Sequence, residues 1–360
     1  MSTIGKGPLA GVRVVEFASI GPGPHGAMLL SDLGAEVLRI DKEGGNGWPN
    51  AIADRGRATA TVDIRTDPGR AFCLDACDRA DVIIEGFRPG VMERLGMGPE
   101  VILGRNPRLI YGRVTGWGQE GPLAQAAGHD INYIALAGAL DAIGPPAGAS
   151  LPPLNLLGDF GGGSMLLAFG IVAALLERER SGIGQVVDAA IVDGVSSLMS
   201  FFDGLRQSGS ISLDRTENSL AGGAPFYRTY RCRDGREIAI GPLETKFYEI
   251  LLEKIGAPPD LLVARYDAST WPERGDILAA IFAGRDLAEW VTMLEGTDAC
   301  FAPVLRLAEV ADHPHMRARS AYITKGGVTQ CAPVPRFSRT PGHIQDAERA
   351  EERLQRWRTG

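Results

Sequence analysis

Through the first half of the chain, short unbroken apolar runs alternate with segments of helical spacing. Val12–Ala18, Glu36–Asp41, Thr59–Ile64, Asp81–Gly86 and Leu109–Val114 read as strands, while Ala27–Leu33 and Pro68–Arg79 carry helical periodicity. Continuously apolar strands separated by helices predict an α/β fold with a parallel sheet covered on both faces. A proline-, glycine- and alanine-rich stretch, Ile143–Asn155, leads to an apolar core helix expected from about Gly161, and "GQVVDAAIVDGVSSLMSFF" adds a strand and a helix. After the polar, Ser-rich Arg206–Ser219 the pattern turns antiparallel. "FYRTYRC" and "REIAIG" flank Arg233-Asp234-Gly235, a hairpin signal. Helices are expected at Glu244–Ile255 and Asp286–Leu294, within a smaller second domain from Gly222 to about Asp312. Ala347–Arg358 reads as an exposed terminal helix.

Composition narrows the functions open to such a chain. Its 360 residues, 44% hydrophobic and 22% charged, suit a soluble globular protein. A net charge of −7 argues against general binding of nucleic acid or of an anionic membrane, so an anionic ligand needs local Lys and Arg. The five cysteines, Cys73, Cys77, Cys232, Cys300 and Cys331, are odd in number and scattered. They predict buried free thiols in a reducing compartment and no metal site. The N-terminus lacks the charged-then-apolar order of a signal peptide, and the longest apolar stretch, Met165–Leu176, is too short to span a bilayer. A cytoplasmic location is expected.

The first motif is "GPGPHGAML", where Gly21, Gly23 and Gly26 spell G-x-G-x-x-G between a strand and a helix, with Asp41 closing the next strand. That is the dinucleotide-binding pattern. Against it, Pro22 and Pro24 deprive the loop of N–H donors and Lys42 follows Asp41, which suits a phosphate better than a ribose hydroxyl. A nicotinamide or flavin site and a plain tight turn both remain open on this passage alone. Positive charge then recurs at or beyond successive strand ends, as Lys42, Arg65, Arg88 and Arg94. Ligands of open parallel sheets bind at that edge, so an anion with several phosphates is expected there. Phe87 is placed either to cover a flat base or to join the core.

Three passages carry candidate chemistry: "AGHDINYIALAG" with His129 and Asp130, "LNLLGDFGGGSML" with Asp159, and "GPLETKFY" with Glu244. Singly, Asp130 and Asp159 read as helix caps, and Glu244 as a first-turn acid. Together they offer a base and opposed acids beside free N–H groups at helix starts, the equipment for removing and returning a proton α to a carbonyl.

The chain resembles the α-methylacyl-CoA racemases of the class III CoA-transferase superfamily, most closely the bacterial members. The resemblance is carried by "GPGPHGAML", "LGAEVLRIDK", "EGFRPGVMERLGMGP", "RLIYGRVTGWGQEGP", "AGHDINYIALAG", "LNLLGDFGGGSML", "GQVVDAAIVDG" and "GGAPFYRTY". It implies an interlocked homodimer. Each subunit would have a Rossmann-like large domain at residues 1–205, a linker at 206–221, a small α+β domain at 222–312, and a segment, 313–360, returning to the large domain. Motif by motif, CoA contacts fall on Lys42, on Val62, Asp63, Ile64 and Arg65, on Gly86, Phe87 and Arg88, on Arg94, and on Gly128, His129, Asp130, Ile131, Asn132 and Tyr133. The proton-transfer bases fall on His129 and Asp159, and Glu244 matches the acid that bonds the imidazole from a neighbouring subunit. Asp54-Arg55-Gly56-Arg57 depart from the Asn/Arg-rich run that relatives often carry on the adenine side.

The implied reaction is interconversion of (2R)- and (2S)-2-methylacyl-CoA through an enolate, its oxygen held by backbone N–H groups near Asp130 and Asp159. No metal, nicotinamide or flavin is needed, and CoA is the carrier portion of the substrate. The alternatives are a class III CoA-transferase with Asp159 as nucleophile and a non-catalytic acyl-CoA-binding protein. Phe201 and Phe202 are candidates for the acyl chain's surface.

Overall fold

A computed structural model describes residues 7–45 and 47–359. They form two compact units: one holds the chain up to Ala137, Leu154–Leu198 and the chain from Pro314, and the other holds Gly138–Pro153 and Met199–His313.

The first unit opens with β1 (Arg13–Phe17), α1 (Pro22–Asp32), β2 (Glu36–Asp41), β3 (Arg57–Thr61), α2 (Asp67–Cys77) and β4 (Val82–Glu85). Short helices α3 (Val91–Arg94) and α4 (Pro99–Arg105) lead to β5 (Ile110–Thr115) and α5 (Asp130–Leu136). A π-wound segment, Leu156–Met165, then runs into α6 (Leu166–Ser181), β6 (Val186–Ala190) and α7 (Ile191–Gln207). The six strands pair in parallel in the order β3-β2-β1-β4-β5-β6. This is a Rossmann-type sheet, and its order reverses between β1 and β4. One face is covered by α1 and α6 through Ala27, Leu30, Leu167 and Ile171; the other buries Cys73, Cys77, Leu354 and Trp357.

In the second unit β7 (Arg228–Arg231) and β8 (Glu237–Ile240) form the expected hairpin, and Gly235 turns it at φ 77°. Helices α8 (Thr245–Ile255), α9 (Trp271–Phe282) and α10 (Leu287–Leu294) cover the sheet, which β9 (Phe301–Pro303) completes. Phe226, Tyr248, Trp271, Phe282 and Trp290 fill that unit's core. The chain ends in the first unit with α11 (Pro314–Ala318), the hairpin β10 (Tyr322–Lys325) and β11 (Val328–Cys331), and α12 (Ala350–Thr359).

Several expectations need correction. α1 begins at Pro22 and not Ala27, because Pro22 and Pro24 sit in the first turn, where a helix has no use for their missing N–H groups. β3 begins at Arg57, whose buried guanidinium reaches Glu16 of β1 at 2.6 Å, and it ends before Asp63 and Arg65 fold into a turn. The helix placed near Gly161 starts at Leu156, so helix runs unbroken over 26 residues, Leu156–Ser181. By length and composition it could cross a bilayer; here α6 lies on the sheet through Leu167 and Ile171. The terminal helix is not wholly exposed, since Ala350, Leu354 and Trp357 are buried and Arg353 donates to the Val37 carbonyl at 2.6 Å. Cys300 and Cys331 are exposed, while Cys73, Cys77 and Cys232 are buried.

Candidate active site

Where the strand order reverses, the chain leaving β1 and the chain leaving β4 diverge and leave a crevice. A cleft of about 1010 Å³ lies there, lined by Ser19, Ile20, Lys42, Val62–Arg65, Gly86, Phe87 and Arg94 among others. Beside it a cavity of about 390 Å³ is lined by Arg88, Trp117, Gly128, His129, Tyr133 and Asp159. Ser19, Ile20, Gly86 and Phe87 line both. The proposed CoA residues therefore divide between two adjoining spaces, with His129 and Asp159 together in the smaller one. Asp130, Ile131 and Asn132 line neither space, and Arg55 and Arg57 face inward: Arg55 holds Asp32, Gln330 and the Cys331 carbonyl, and Arg57 holds Glu16.

The larger cleft carries Lys42 and Arg65 on loops and Arg94 on the short helix α3, which is fixed from beneath. Arg113 of β5, a residue the motifs did not single out, donates to buried Glu85 at 2.7 Å and to Glu93 of α3 at 2.8 Å. The other Glu85 oxygen accepts the Phe87 N–H at 2.8 Å. Burial, the dominant influence, pushes the Glu85 carboxyl above the ordinary range, and Arg113 opposes that shift. One guanidinium thus ties the end of β4 to the helix bearing Arg94. Among the described residues Lys42, Arg88 and Arg94 have no ion pair, whereas exposed Arg65 grips Asp63 through two 2.9 Å bonds. Asp41 is taken by Arg39 at 2.9 Å and by the Lys42 N–H at 2.8 Å, which removes it as a ribose ligand.

The smaller cavity is built from two helix starts. His129 is the extended residue before α5, its N–H bonded to Asn132 Oδ1 at 3.0 Å. The Tyr133 hydroxyl donates to the Gly128 carbonyl, and its ring meets Trp117 edge-on with centroids 4.7 Å apart. Opposite, Asp159 lies in the first turn of the π-wound segment, a winding that recurs at functional sites. Its Oδ2 accepts from Asn155 Nδ2 at 3.1 Å, and Gly21, at φ 70°, passes so near that a Cβ there would lie 2.9 Å from Oδ2. Asn155, four residues before the acid, is a second contributor that the sequence reading overlooked. The following glycines serve packing: a Cβ on Gly194 of α7 would lie 2.0 Å from the Gly162 carbonyl oxygen.

The Asp159 carboxyl is held above the usual Asp range, first by burial and further by Asp130, while the Asn155 bond and His129 act the other way. Asp130 is not the N-cap of α5. It is the first helical residue, and its buried Oδ1 accepts the Asp159 N–H at 2.7 Å. That N–H is therefore engaged and is not free for an enolate oxygen. The N–H groups of Asp130 and Ile131 have no partner among the described residues.

Glu244 lies in the second unit as the exposed N-cap of α8, after β8. Exposed Phe201 and half-buried Phe202 are on the part of α7 assigned to that unit, their rings 5.5 Å apart.

Residues 9–348 match the profile of CoA-transferase family III. The chain belongs to that family. It is 45% identical over 334 residues to the α-methylacyl-CoA racemase of Mus musculus, covering 92% of this chain and 87% of that protein. To the Homo sapiens racemase it is 43% identical over 316 residues, covering 88% and 82%. A CAIB/BAIF family protein from Brucella suis shares the fold, with a TM-score of 0.83 over 98% of this chain and 99% of that one at 24% identity.

Proposed function

We propose that the protein epimerises 2-methylacyl-CoA thioesters by taking the C2 proton from one face and returning one to the other. The observation that carries this reading is the sharing of one cavity by His129 and Asp159, beside a cleft with unpaired cations. The identity to two named racemases over most of the chain supports it.

Lys42, Arg65, Arg88 and Arg94 would hold the phosphates, with Val62, Asp63, Ile64, Gly86 and Phe87 along the nucleotide and pantetheine portions. Gly128, His129 and Tyr133, which line the smaller cavity, would border the thioester. A carboxylate raised by burial is a stronger base than an ordinary Asp, which suits Asp159 to a weakly acidic C–H. His129 serves the other face. The N–H groups of Asp130 and Ile131, at the positive end of α5, would hold the enolate oxygen. Glu244, contributed by a second copy of the chain, would orient the His129 imidazole. Support for a second copy comes from Met165, at the end of the π-wound segment, and Phe169, Val172 and Leu176 of α6, which form an exposed apolar stripe at helical spacing.

The test is incubation of (2R)-2-methylacyl-CoA in heavy water, following deuterium entry at C2 together with the (2S) epimer. Both should appear. CoA passing to an added carboxylate without exchange would establish a transferase instead, and tight binding with neither event would leave only an acyl-CoA-binding protein.

A further inference from the structure

The π-wound segment begins with a problem that its own sequence does not solve. N–H groups in a helix's first turn have no carbonyl behind them, and Asn155, at the cap position, provides no side-chain bond to them. The Asp159 N–H is satisfied from another element, by Asp130 Oδ1 at 2.7 Å. The approach requires a glycine: a Cβ on Gly158 would lie 2.4 Å from that same oxygen. Asp130 is 5% exposed, and its Oδ2 is buried with no hydrogen-bond partner among the described residues. A buried carboxylate with half its acceptor capacity unused is expensive to keep, and a serine or asparagine could cap the turn without that cost.

We propose that the Asp130 side chain is a positioning residue for Asp159, fixing its backbone through the Asp159 N–H and setting a second carboxylate directly behind it. This rests on Asp159 acting as a base. The groups facing Asp159 are few. Asn155 Nδ2 and His129 favour its ionised form, Asp130 disfavours it, and the Gly21 backbone brings no charge. Tyr133, held by the Gly128 carbonyl and itself pushed up by burial, stays neutral. His25, in the first turn of α1, has its proton affinity lowered, chiefly by burial, and meets Phe160 at a tilt with ring centroids 4.8 Å apart. Among the described residues, Asp130 is thus the neighbouring charge that strengthens the base.

Asp130→Asn keeps an acceptor for the Asp159 N–H and removes the charge. With aspartate carboxyls labelled with ¹³C, and the Asp159 resonance assigned by its loss in Asp159→Asn, the Asp159 titration midpoint should fall in Asp130→Asn. The acid limb of C2 proton exchange should fall with it, with CoA binding retained. An unchanged midpoint would overturn the proposal. A lowered midpoint in a protein that exchanges no C2 proton would sustain the electrostatic pairing and sink the racemase reading. If Asp130→Asn does not fold, amide hydrogen exchange on the unaltered protein decides the anchor. Asp159 should be protected although it is a first-turn residue, and exchange at the rate of a free amide would refute it.

Discussion

At the scale of single residues, the properties that suit Asp159 to proton transfer also burden the fold. Its carboxyl has a raised proton affinity in the folded chain, chiefly from burial. The linkage sign follows: stabilisation is fully present at low pH, where the group is protonated in both states, and is lost as pH rises through the folded value. At neutral pH the ionised carboxylate is a net cost. Asp159→Asn should therefore melt at a higher temperature than the parent at neutral pH, with the gap closing in acid. Turnover should drop about 10²- to 10⁴-fold, the usual worth of a positioned base. Scanning calorimetry across pH checks this, and identical melting at neutral pH would show that the carboxylate bears no such cost. His129 and Asp159 were legible as chemical candidates because glycine flanks each of them. The direction of Asp130 was not legible, since an N-cap and a first helical residue one position apart look alike in sequence. Arg113 was equally hidden, because a lone arginine in "RLIYGRV" does not announce that Glu85 and Glu93 converge on it.

At the scale of elements, alternation of apolar runs revealed the strands, since both faces of a parallel sheet are buried and leave continuous apolar signals. Helix starts were less legible. A glycine run reads as a turn, yet in "GDFGGGSML" it forms the π-wound segment, because another backbone must come close. Gly194 meets the Gly162 carbonyl oxygen at a distance that admits no Cβ. Gly194→Ala should accordingly destabilise the protein by about 1–3 kcal/mol, the usual cost of overpacking. Gly104→Ala, in α4 with nothing within 4 Å of the added methyl, should stabilise it by up to about 1 kcal/mol. Urea denaturation of the two variants separates the explanations. Equal effects would mean that glycine flexibility, and not close approach, governs both positions. The terminal helix was found by its periodicity, but its burial was not, because Leu354 and Trp357 are few among many charges.

At the scale of the whole molecule, the opening glycines identified the sheet correctly, while the dinucleotide they suggested finds its acidic partner, Asp41, already engaged by Arg39 and the Lys42 N–H. The crevice at the strand-order reversal is a property of the topology, whereas under the proposed reading the ligand would be selected by Lys42, Arg88 and Arg94 around it. Under the proposed mechanism Glu244, which lies in one compact unit, would orient His129, which lies in the other. If each site draws Glu244 from a second copy, a symmetric dimer holds two sites, each mixing residues of both chains. His129→Ala and Glu244→Ala homodimers would each be inactive. In a mixed dimer, one site would join the intact His129 of one chain to the intact Glu244 of the other, and the second site would carry both lesions. Chains interlocked as the family resemblance implies would not exchange on mixing, so the variants are co-expressed with different affinity tags. Random assembly makes about half the dimers mixed, with one good site of two, so the total should recover about a quarter of the parent activity per chain. Dimers isolated through both tags should show about half. If the doubly tagged dimers stay inactive while each variant still binds CoA, Glu244 does not act across subunits, and the His129 imidazole must find its partner within its own chain.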